Sequence, residues 1–504
     1  FSVASAGDVN GDGFADLIVG APLADPHGHE SGVSYVVFGK ASGFAANIDL
    51  STLDGTTGFR LLGAAGGDYS GFSVASAGDV NGDGFADLIV GASYADPHGS
   101  ASGASYVVFG KASGFAANID LSSLDGLTGF KLSGAAAGDY SGRSVASAGD
   151  VNGDGFADLI VGAHLADPHG SDSGASYVVF GKFPDTAVSR TGTDASQTLA
   201  GGDFNDMLAG LGGDDRLYGN GGDDTLQGGA GADTLIGGAG ADVMVGGTGD
   251  DGYVVANGGD QVVENAGEGT DTVFSTIHLV LPTNVENLVL QGSADLQGYG
   301  NGDANTITGN AGSNLLDGRG GADVMLGGAG SDVYVVDDGG DQVIENAGEG
   351  SDAVFSTAHF VLSANVETLV LQGSADLQGY GNGDANMLYG NAGSNLLDGR
   401  VGADVMLGGA GTDVYVVDDA GDMVIENTGE GNDAVFSTAH FALAANVETL
   451  VLQGSADLQG YGNGDANALY GNAGSNLLDG RVGADVMLGG AGNDVYVVDD
   501  AGDM

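Results

Sequence analysis

The sequence predicts an all-β protein of two architectures: a partial β-propeller followed by a parallel β-roll or β-solenoid. Three observations carry this reading. The stretch GDVNGDGFADLIVGA occupies residues 7–21, 78–92 and 149–163 unchanged, a 71-residue period. From residue 201 the period falls to nine, with Asp206, Asp215, Asp224, Asp233, Asp242 and Asp251 in register. Beyond residue 255 a longer, 81-residue unit emerges, its spacing marked by Tyr253, Tyr334, Tyr415 and Tyr496. Fixed periods of this kind are the mark of repeat architectures.

In residues 1–182 each copy carries short β-like runs split by Gly, Asp, Pro and Ser turns. In the first copy these are FSVASAG, DLIVGA, SYVVFG and FRLLGA. Four short strands per copy predict one propeller blade. Residues 183–200 match neither repeat and are expected to be a linker. Residues 201–254 are six nonapeptides such as GGAGADTLI. Each accommodates a turn of about six residues and a strand of about three, so successive units alternate between the two sheets of a right-handed roll. Position 8 is apolar (Leu208, Leu217, Leu226, Leu235, Met244, Tyr253) and is expected to point inward. Glycine permits the turn conformations that a side chain forbids. Residues 255–504 are 81-residue repeats in which segments such as SADLQGYGN and AGSNLLDGR keep the nine-residue step, so the same coil should continue with weaker motifs.

Composition narrows the function. The chain has 11 basic against 69 acidic residues, a formal charge of −58. Its field repels nucleic acids and anionic membranes, and the carboxylates need counter-ions. Past residue 200 there is no lysine, and only Arg216, Arg319, Arg400 and Arg481 are basic. Ninety-nine glycines with strict repeats and 42% hydrophobic residues argue for ordered structure. Without cysteine there is neither a disulfide framework nor a thiolate metal site. No apolar run reaches membrane-spanning length. The chain opens on Phe1 and stops at Met504 in mid-repeat, so a longer parent protein is expected.

The segment DVNGDGFAD offers side-chain oxygens at positions 1, 3, 5 and 9, a donor set that suits Ca²⁺. Glycines at positions 4 and 6 let the backbone curl round one point. An EF-hand would need Glu at position 12, where Val19, Val90 and Val161 stand, and the following segment is strand-like. The region resembles the FG-GAP repeats of integrin-α-type propellers in DVNGDGFADLIVGA, in the GAP of Gly20 to Pro22, and in SYVVFGK. The resemblance implies calcium ligation by Asp8, Asn10, Asp12 and Asp16 with the Phe14 carbonyl. The second set is Asp79, Asn81, Asp83, Asp87 and the Phe85 carbonyl, and the third Asp150, Asn152, Asp154, Asp158 and the Phe156 carbonyl. Propellers hold about four to eight blades, so further blades are expected upstream of Phe1.

The nonapeptides resemble the Gly-Gly-x-Gly-x-Asp-x-apolar-x repeats of bacterial RTX proteins. On a roll, Asp206, Asp224 and Asp242 stack along one side, and Asp215, Asp233 and Asp251 along the other. Rungs lie ~4.8 Å apart. Two unit charges at that distance repel by roughly 0.9 kcal/mol in water and ~3.5 kcal/mol at an effective dielectric of 20. Calcium between turns reverses the sign of that interaction, so the roll should be unfolded without metal and folded with it. Asp323, Asp332, Asp404, Asp413, Asp485 and Asp494 repeat the motif further on. Asn305 and Asn314 take the Asp position in neighbouring units, which removes charge and, by expectation, calcium.

No His-Glu-x-x-His, Gly-x-Ser-x-Gly or P-loop motif occurs. His27, His98 and His169, like His278, His359 and His440, recur at equivalent repeat positions, which suits turn residues rather than a unique catalytic centre. RTX resemblance implies export through a type I secretion apparatus, unfolded in low cytosolic Ca²⁺ and folding outside. The expected function is a calcium-binding, secreted or surface adhesion protein with an extracellular protein or polysaccharide ligand. The alternative is a non-catalytic C-terminal region of a type I-secreted hydrolase.

Overall fold

A computed structural model describes residues 2–112, 114–153, 155–182 and 187–504. The chain divides into two compact units, Phe1–Glu264 and Asn265–Met504. Among the described residues, helix is confined to two single-turn 3₁₀ segments, Leu50–Thr52 and Leu121–Ser123.

In the first unit each 71-residue repeat forms an antiparallel sheet. Val3–Gly7, Asp16–Ala21, Val33–Val37 and Gly58–Leu62 pair in sequence, and Asn118–Asp120 adds in parallel at the outer edge. Ser73–Gly78, Asp87–Ala92, Ala104–Val108 and Gly129–Ser133 repeat the order. The third sheet holds Ser144–Gly149, Asp158–Ala163 and Ala175–Val179. In all three the first hairpin bulges at the same place, before Gly7, Gly78 and Gly149. Those glycines have φ of 76°, 78° and 69°, which turns the chain out of the ladder and into the Asp-rich loop. Adjacent blades nest through these loops. The Phe85 ring packs where a side chain on Gly11 would stand, and Phe156 does the same at Gly82. Ile18, Val36, Phe59 and Leu61 share one core with Leu88, Val90 and Tyr106 of the next blade. Phe59 stacks on Phe115 with ring centroids 4.5 Å apart.

The roll begins earlier than the sequence boundary at 201. Residues 183–186 of the expected linker lie outside the described residues, but Ser189–Thr191 already pairs in parallel with Met207–Gly212, and Thr198–Ala200 with Arg216–Gly221. The reason is that parallel pairing uses the backbone and asks of the side chains only an inward apolar residue. Leu199 supplies it in phase with Leu208, although Gln197 stands where the motif has Asp, and is fully buried. The strands Met207–Gly212, Thr225–Ala230 and Val243–Thr248 stack on one face, and Arg216–Gly221, Thr234–Ala239 and Gly252–Val255 on the other, each pairing with the strand two nonapeptides on. Leu208, Leu217, Leu226, Leu235, Met244 and Tyr253 all point inward with no exposed surface.

The second unit is a two-faced parallel coil whose turn length varies. Thr306 pairs with Val324, and Val324 with Gln342, at the spacing of two nonapeptides. Val333 instead pairs with Ala353, Ala353 with Thr368, and Thr368 with Met387. The NVENLVLQG segments and their copies thus shorten or lengthen a turn without breaking the stack. Each 81-residue repeat is nine half-turns, an odd number, so equivalent residues of successive repeats fall in different sheets. Val333–Val336 and its equivalent Val414–Val417 show this.

With so thin a core, one inward side chain per half-turn carries the packing. Leu226→Ala should destabilise the metal-loaded roll by about 3 kcal/mol, whereas Gln227→Ala, on the exposed neighbour, should cost almost nothing. Denaturant unfolding in saturating Ca²⁺ measures both.

Candidate metal centre

In the first roll each motif Asp is used twice. One carboxylate oxygen, Oδ1, accepts the N–H of the residue two nonapeptides earlier, Val188 for Asp206 and Gln197 for Asp215. Asp224 accepts from Asp206 at 2.7 Å, Asp233 from Asp215 at 2.7 Å, Asp242 from Asp224 at 2.9 Å and Asp251 from Asp233 at 2.7 Å. The two predicted stacks, Asp206–Asp224–Asp242 and Asp215–Asp233–Asp251, are therefore continuous ladders. The other oxygen, Oδ2, is buried without a hydrogen-bond partner at Asp215, Asp224, Asp233 and Asp242. Asp206 differs, because its Oδ2 accepts from Gly202 N–H.

Each orphaned oxygen faces a space kept open by the first glycine of its repeat. A Cβ on Gly210 would collide with Asp215 Oδ2 and lie 2.7 Å from the Gly228 carbonyl oxygen. Gly219 stands in the same way over Asp224, and Gly228 over Asp233 with the Gly246 carbonyl. A carboxylate and a backbone carbonyl converging on one glycine-lined space form an all-oxygen donor set, which suits a hard cation such as Ca²⁺. A buried carboxylate oxygen with no donor is costly, and a cation removes that cost. When bound, the ion supplies a fixed positive charge between turns, and the Asp ladder and Gly carbonyls of this chain would hold it.

Burial, with neighbouring carboxylates adding to it, pushes Asp215 up to about 6 and Asp224 to about 7. Asp233 and Asp242 are raised by burial in the same way. In the second unit Asp323, Asp332, Asp404 and Asp413 are pushed to about 6 by burial, and Asp485 is raised. Each of these five has an unpartnered buried Oδ2. Asp494 Oδ1 accepts from Asn476 N–H at 2.9 Å, on a more open rung. The arginines of this unit do not neutralise the ladder. Arg319, Arg400 and Arg481 stack on Tyr299, Tyr380 and Tyr461 at 5.3, 5.5 and 5.6 Å from the ring centres. After burial and the N–H groups of Asn305 and Asn386, the charged groups acting on Asp323 and Asp404 are other carboxylates, led by Asp341 and Asp422.

Where Asn replaces Asp, the rung closes by itself. Asn305 Oδ1 accepts from Asn301 N–H at 2.8 Å, while its Nδ2 donates to the Val285 carbonyl at 3.1 Å. Asn386 and Asn467 repeat both bonds. Asn314 Oδ1 likewise accepts from Asn310 N–H at 2.7 Å. The amide hydrogens supply the positive partner that an Asp rung lacks.

The propeller loops are organised differently. Asp8 accepts from Asp12 N–H at 3.1 Å and Gly13 N–H at 2.8 Å, and Asp12 accepts from Phe14 N–H at 2.9 Å and from Asn10 Nδ2 at 3.0 Å. Asp79, Asn81 and Asp83 repeat this ring. Asp150 accepts from Gly153 and Gly155 at 2.6 and 2.9 Å, Asn152 stands between, and Asp154 lies outside the described residues. The position-nine aspartates act as buckles. Asp16 takes Val9 N–H at 2.9 Å and Gly39 N–H at 2.7 Å, one on each oxygen, and Asp87 and Asp158 do likewise with Val80 and Gly110, and Val151 and Gly181. Burial pushes Asp16 and Asp83 to about 6 and Asp87 well above the usual range, with the other carboxylates of each loop adding to it. The second loop also meets a cation from the start of the roll: Arg190 Nη2 donates to the Asn81 carbonyl at 2.9 Å.

The histidines serve as structural links. His27 and His98 Nδ1 donate to the carbonyls of Gly63 and Gly134 at 2.9 and 2.7 Å. His278, His359 and His440 Nδ1 accept the N–H of Gln297, Gln378 and Gln459, each at 2.9 Å. The acidic residues that sequence reasoning missed include Glu345, Asp352, Glu426 and Asp433, which gather beside Asp332 and Asp413. Their signal was available in VIENAGEGSDAV and in VIENTGEGNDAV, its equivalent one repeat later.

The carboxylate shifts fix a pH dependence. The metal-free folded roll holds protons on Asp215 and Asp224 up to about pH 6–7, whereas the unfolded chain releases them near 3.8. The folded state therefore binds more protons over this window, and its stability falls as pH rises through it. Chelated protein should gain β-structure on acidification from pH 7.5 to 5, and apparent calcium affinity should fall over the same interval. Circular dichroism with and without Ca²⁺ checks this, and metal-free β content that rises with pH would contradict it. Gly210→Ala, which fills the cradle over Asp215, should weaken calcium binding without removing a carboxylate.

FG-GAP repeat models match residues 1–37, 70–108 and 141–179. RTX calcium-binding nonapeptide repeat models match residues 191–226, 218–253, 299–334, 380–415 and 461–496. The chain is 29% identical over 162 residues to integrin alpha-4 of Xenopus laevis, which is 32% of this chain and 14% of that protein. It is 35% identical over 170 residues to integrin alpha-7 of Rattus norvegicus, again 32% of this chain, and 12% of that protein. Integrin alpha-IIb of Mus musculus matches at 33% over 167 residues, 32% of this chain and 14% of its own. The chain thus spans only 12–14% of these curated relatives. It is a calcium-binding repeat protein, built of FG-GAP repeats followed by RTX nonapeptide repeats that hold multiple Ca²⁺ ions.

Proposed function

We propose that this chain is a calcium-dependent extracellular interaction module, secreted or held at a cell surface. In this reading the FG-GAP blades present loops to a protein or polysaccharide partner, and the roll is a stalk that calcium stiffens. The observation that carries it is the series of buried, unpartnered Asp Oδ2 atoms repeated along both units. A chain carrying a formal charge of −58 and this ladder resists compaction where calcium is scarce and folds where it is abundant. That behaviour suits passage unfolded through a type I secretion apparatus followed by folding outside. Among the described residues, no helix is long and apolar enough to cross a membrane. The ligands of the first roll are assigned as Asp215, Asp224, Asp233 and Asp242 Oδ2 with the facing Gly carbonyls, and those of the loops as Asp8, Asp12, Asp79, Asp83 and Asp150.

Purified protein should gain β-structure by circular dichroism on Ca²⁺ titration and lose it with chelator. Replacing Asp215, Asp224 and Asp233 together by Ala should shift that transition to higher calcium, and an unchanged titration would refute the ligand assignment. Binding to cells or polysaccharide should disappear on chelation; binding that ignores chelation would refute the adhesive role.

A further inference from the structure

Two buried clusters lie beside the nonapeptide ladder of the second unit. Asp332, Glu345 and Asp352 each place a carboxylate oxygen within 4.8 Å of the other two, and Asp413, Glu426 and Asp433 do the same one repeat later. Asp332 is 1%, Glu345 7% and Asp352 2% exposed. Asp332 Oδ2 and Glu345 Oε2 have no hydrogen-bond partner, and neither have Asp413 Oδ2 and Glu426 Oε2. A Cβ on Gly327 would collide with Asp332 Oδ2 and Tyr334 Oη and come within 2.5 Å of Glu345 Oε1. Three oxygens therefore face one enclosed point that is open because residue 327 has no side chain.

The surroundings hold the cluster in place. Tyr334 Oη donates to Glu345 Oε1, and Tyr415 to Glu426, which orients each glutamate. Asp352 Oδ1 accepts from Asp332 N–H at 2.8 Å, and Asp352 N–H donates to Glu367 Oε2 at 2.7 Å. Asp332 and Asp352 immediately precede Val333–Val336 and Ala353–Ser356, paired neighbours in one sheet. Glu345 follows Gln342–Ile344, which belongs to the opposite sheet.

We infer that each cluster is a calcium site of a second type, a staple between the two sheets rather than a bridge along one edge. It deepens the calcium reading above and rests on it. Three oxygens no more than 4.8 Å apart share a centre at most ~2.8 Å from each, which a small inward movement brings to the Ca²⁺ range of about 2.3–2.6 Å, whereas Mg²⁺ demands about 2.0–2.1 Å and keeps its waters. Two carboxylates and the Tyr334 hydroxyl face the Gly327 cradle and Asp352 brings a third carboxylate within 4.8 Å, against one per cradle in the nonapeptides, and calcium affinity rises with ligand charge. These sites fill first as calcium rises and fix one turn in each 81-residue repeat, from which the nonapeptide rungs close.

Tb³⁺ tests this on the whole chain stripped of metal. The chain has no tryptophan, so emission is sensitised by tyrosine, and Tyr334 and Tyr415 touch the sites. The first Tb³⁺ equivalents should give sensitised emission, and the double variant Glu345→Gln with Glu426→Gln should lower it and weaken that tightest class by roughly tenfold. An unchanged early phase would overturn the inference. Tyr334→Phe with Tyr415→Phe keeps every carboxylate, so it should lower early emission while equilibrium dialysis counts the same bound ions; undiminished emission would again overturn it. Calcium-driven gain of β-structure that persists while E345Q/E426Q leaves the early phase unmoved sinks this inference alone. A chain whose β-structure ignores metal sinks the broader calcium reading.

Discussion

One carboxylate used in two directions governs the roll. Its Oδ1 accepts the N–H of the preceding rung on the same face, and its Oδ2 is left in a buried space lined by glycine and carbonyl oxygen. The first use holds each strand in register with the strand two nonapeptides away. The second places a carboxylate charge without a donor at Asp215, Asp224, Asp233 and Asp242. Neither the single inward side chain per half-turn nor the backbone pairing offsets a column of such charges in a low-dielectric setting. The fold and its dependence on a cation thus have the same origin.

Glycine and asparagine mark the two ways of dealing with that charge. At Asp rungs, Gly210, Gly219 and Gly228 leave the cradle open, and any side chain there would displace the carboxylate. At Asn rungs the Nδ2 hydrogens reach the carbonyls themselves, as Asn305 does to Val285. The second unit alternates the two kinds, since Asn305 and Asn314 precede Asp323 and Asp332. Metal-dependent turns are therefore interleaved with turns that close by hydrogen bonds alone.

Much of this was legible in the sequence, because period and chemistry coincide. Nine-residue spacing put Asp206, Asp224 and Asp242 on one edge and Leu208, Leu226 and Met244 inside, and both are found there. The four β-like runs of each of the first two 71-residue copies became four strands. The start of the roll was hidden, since Gln197 stands where the motif has Asp; its N–H and that of Val188 are instead taken by Asp215 and Asp206 of the next rungs. Glu345 and Asp352 were hidden because their turn departs from the nine-residue step: Val333 pairs with Ala353, where the step would place Ser351. The backbone bonds that occupy both oxygens of Asp16, Asp87 and Asp158 involve Gly39, Gly110 and Gly181, a full hairpin further along the chain, and no local spacing announces them.

The rung amides report on the ladder directly. Residue-resolved hydrogen exchange at neutral pH should find the N–H groups of Asp206, Asp215, Asp224 and Asp233 strongly protected in saturating Ca²⁺. After chelation they should exchange at the rate of an unstructured chain. Equal protection in both states would mean that the carboxylate ladder holds without a cation, contradicting the dependence of the roll on calcium.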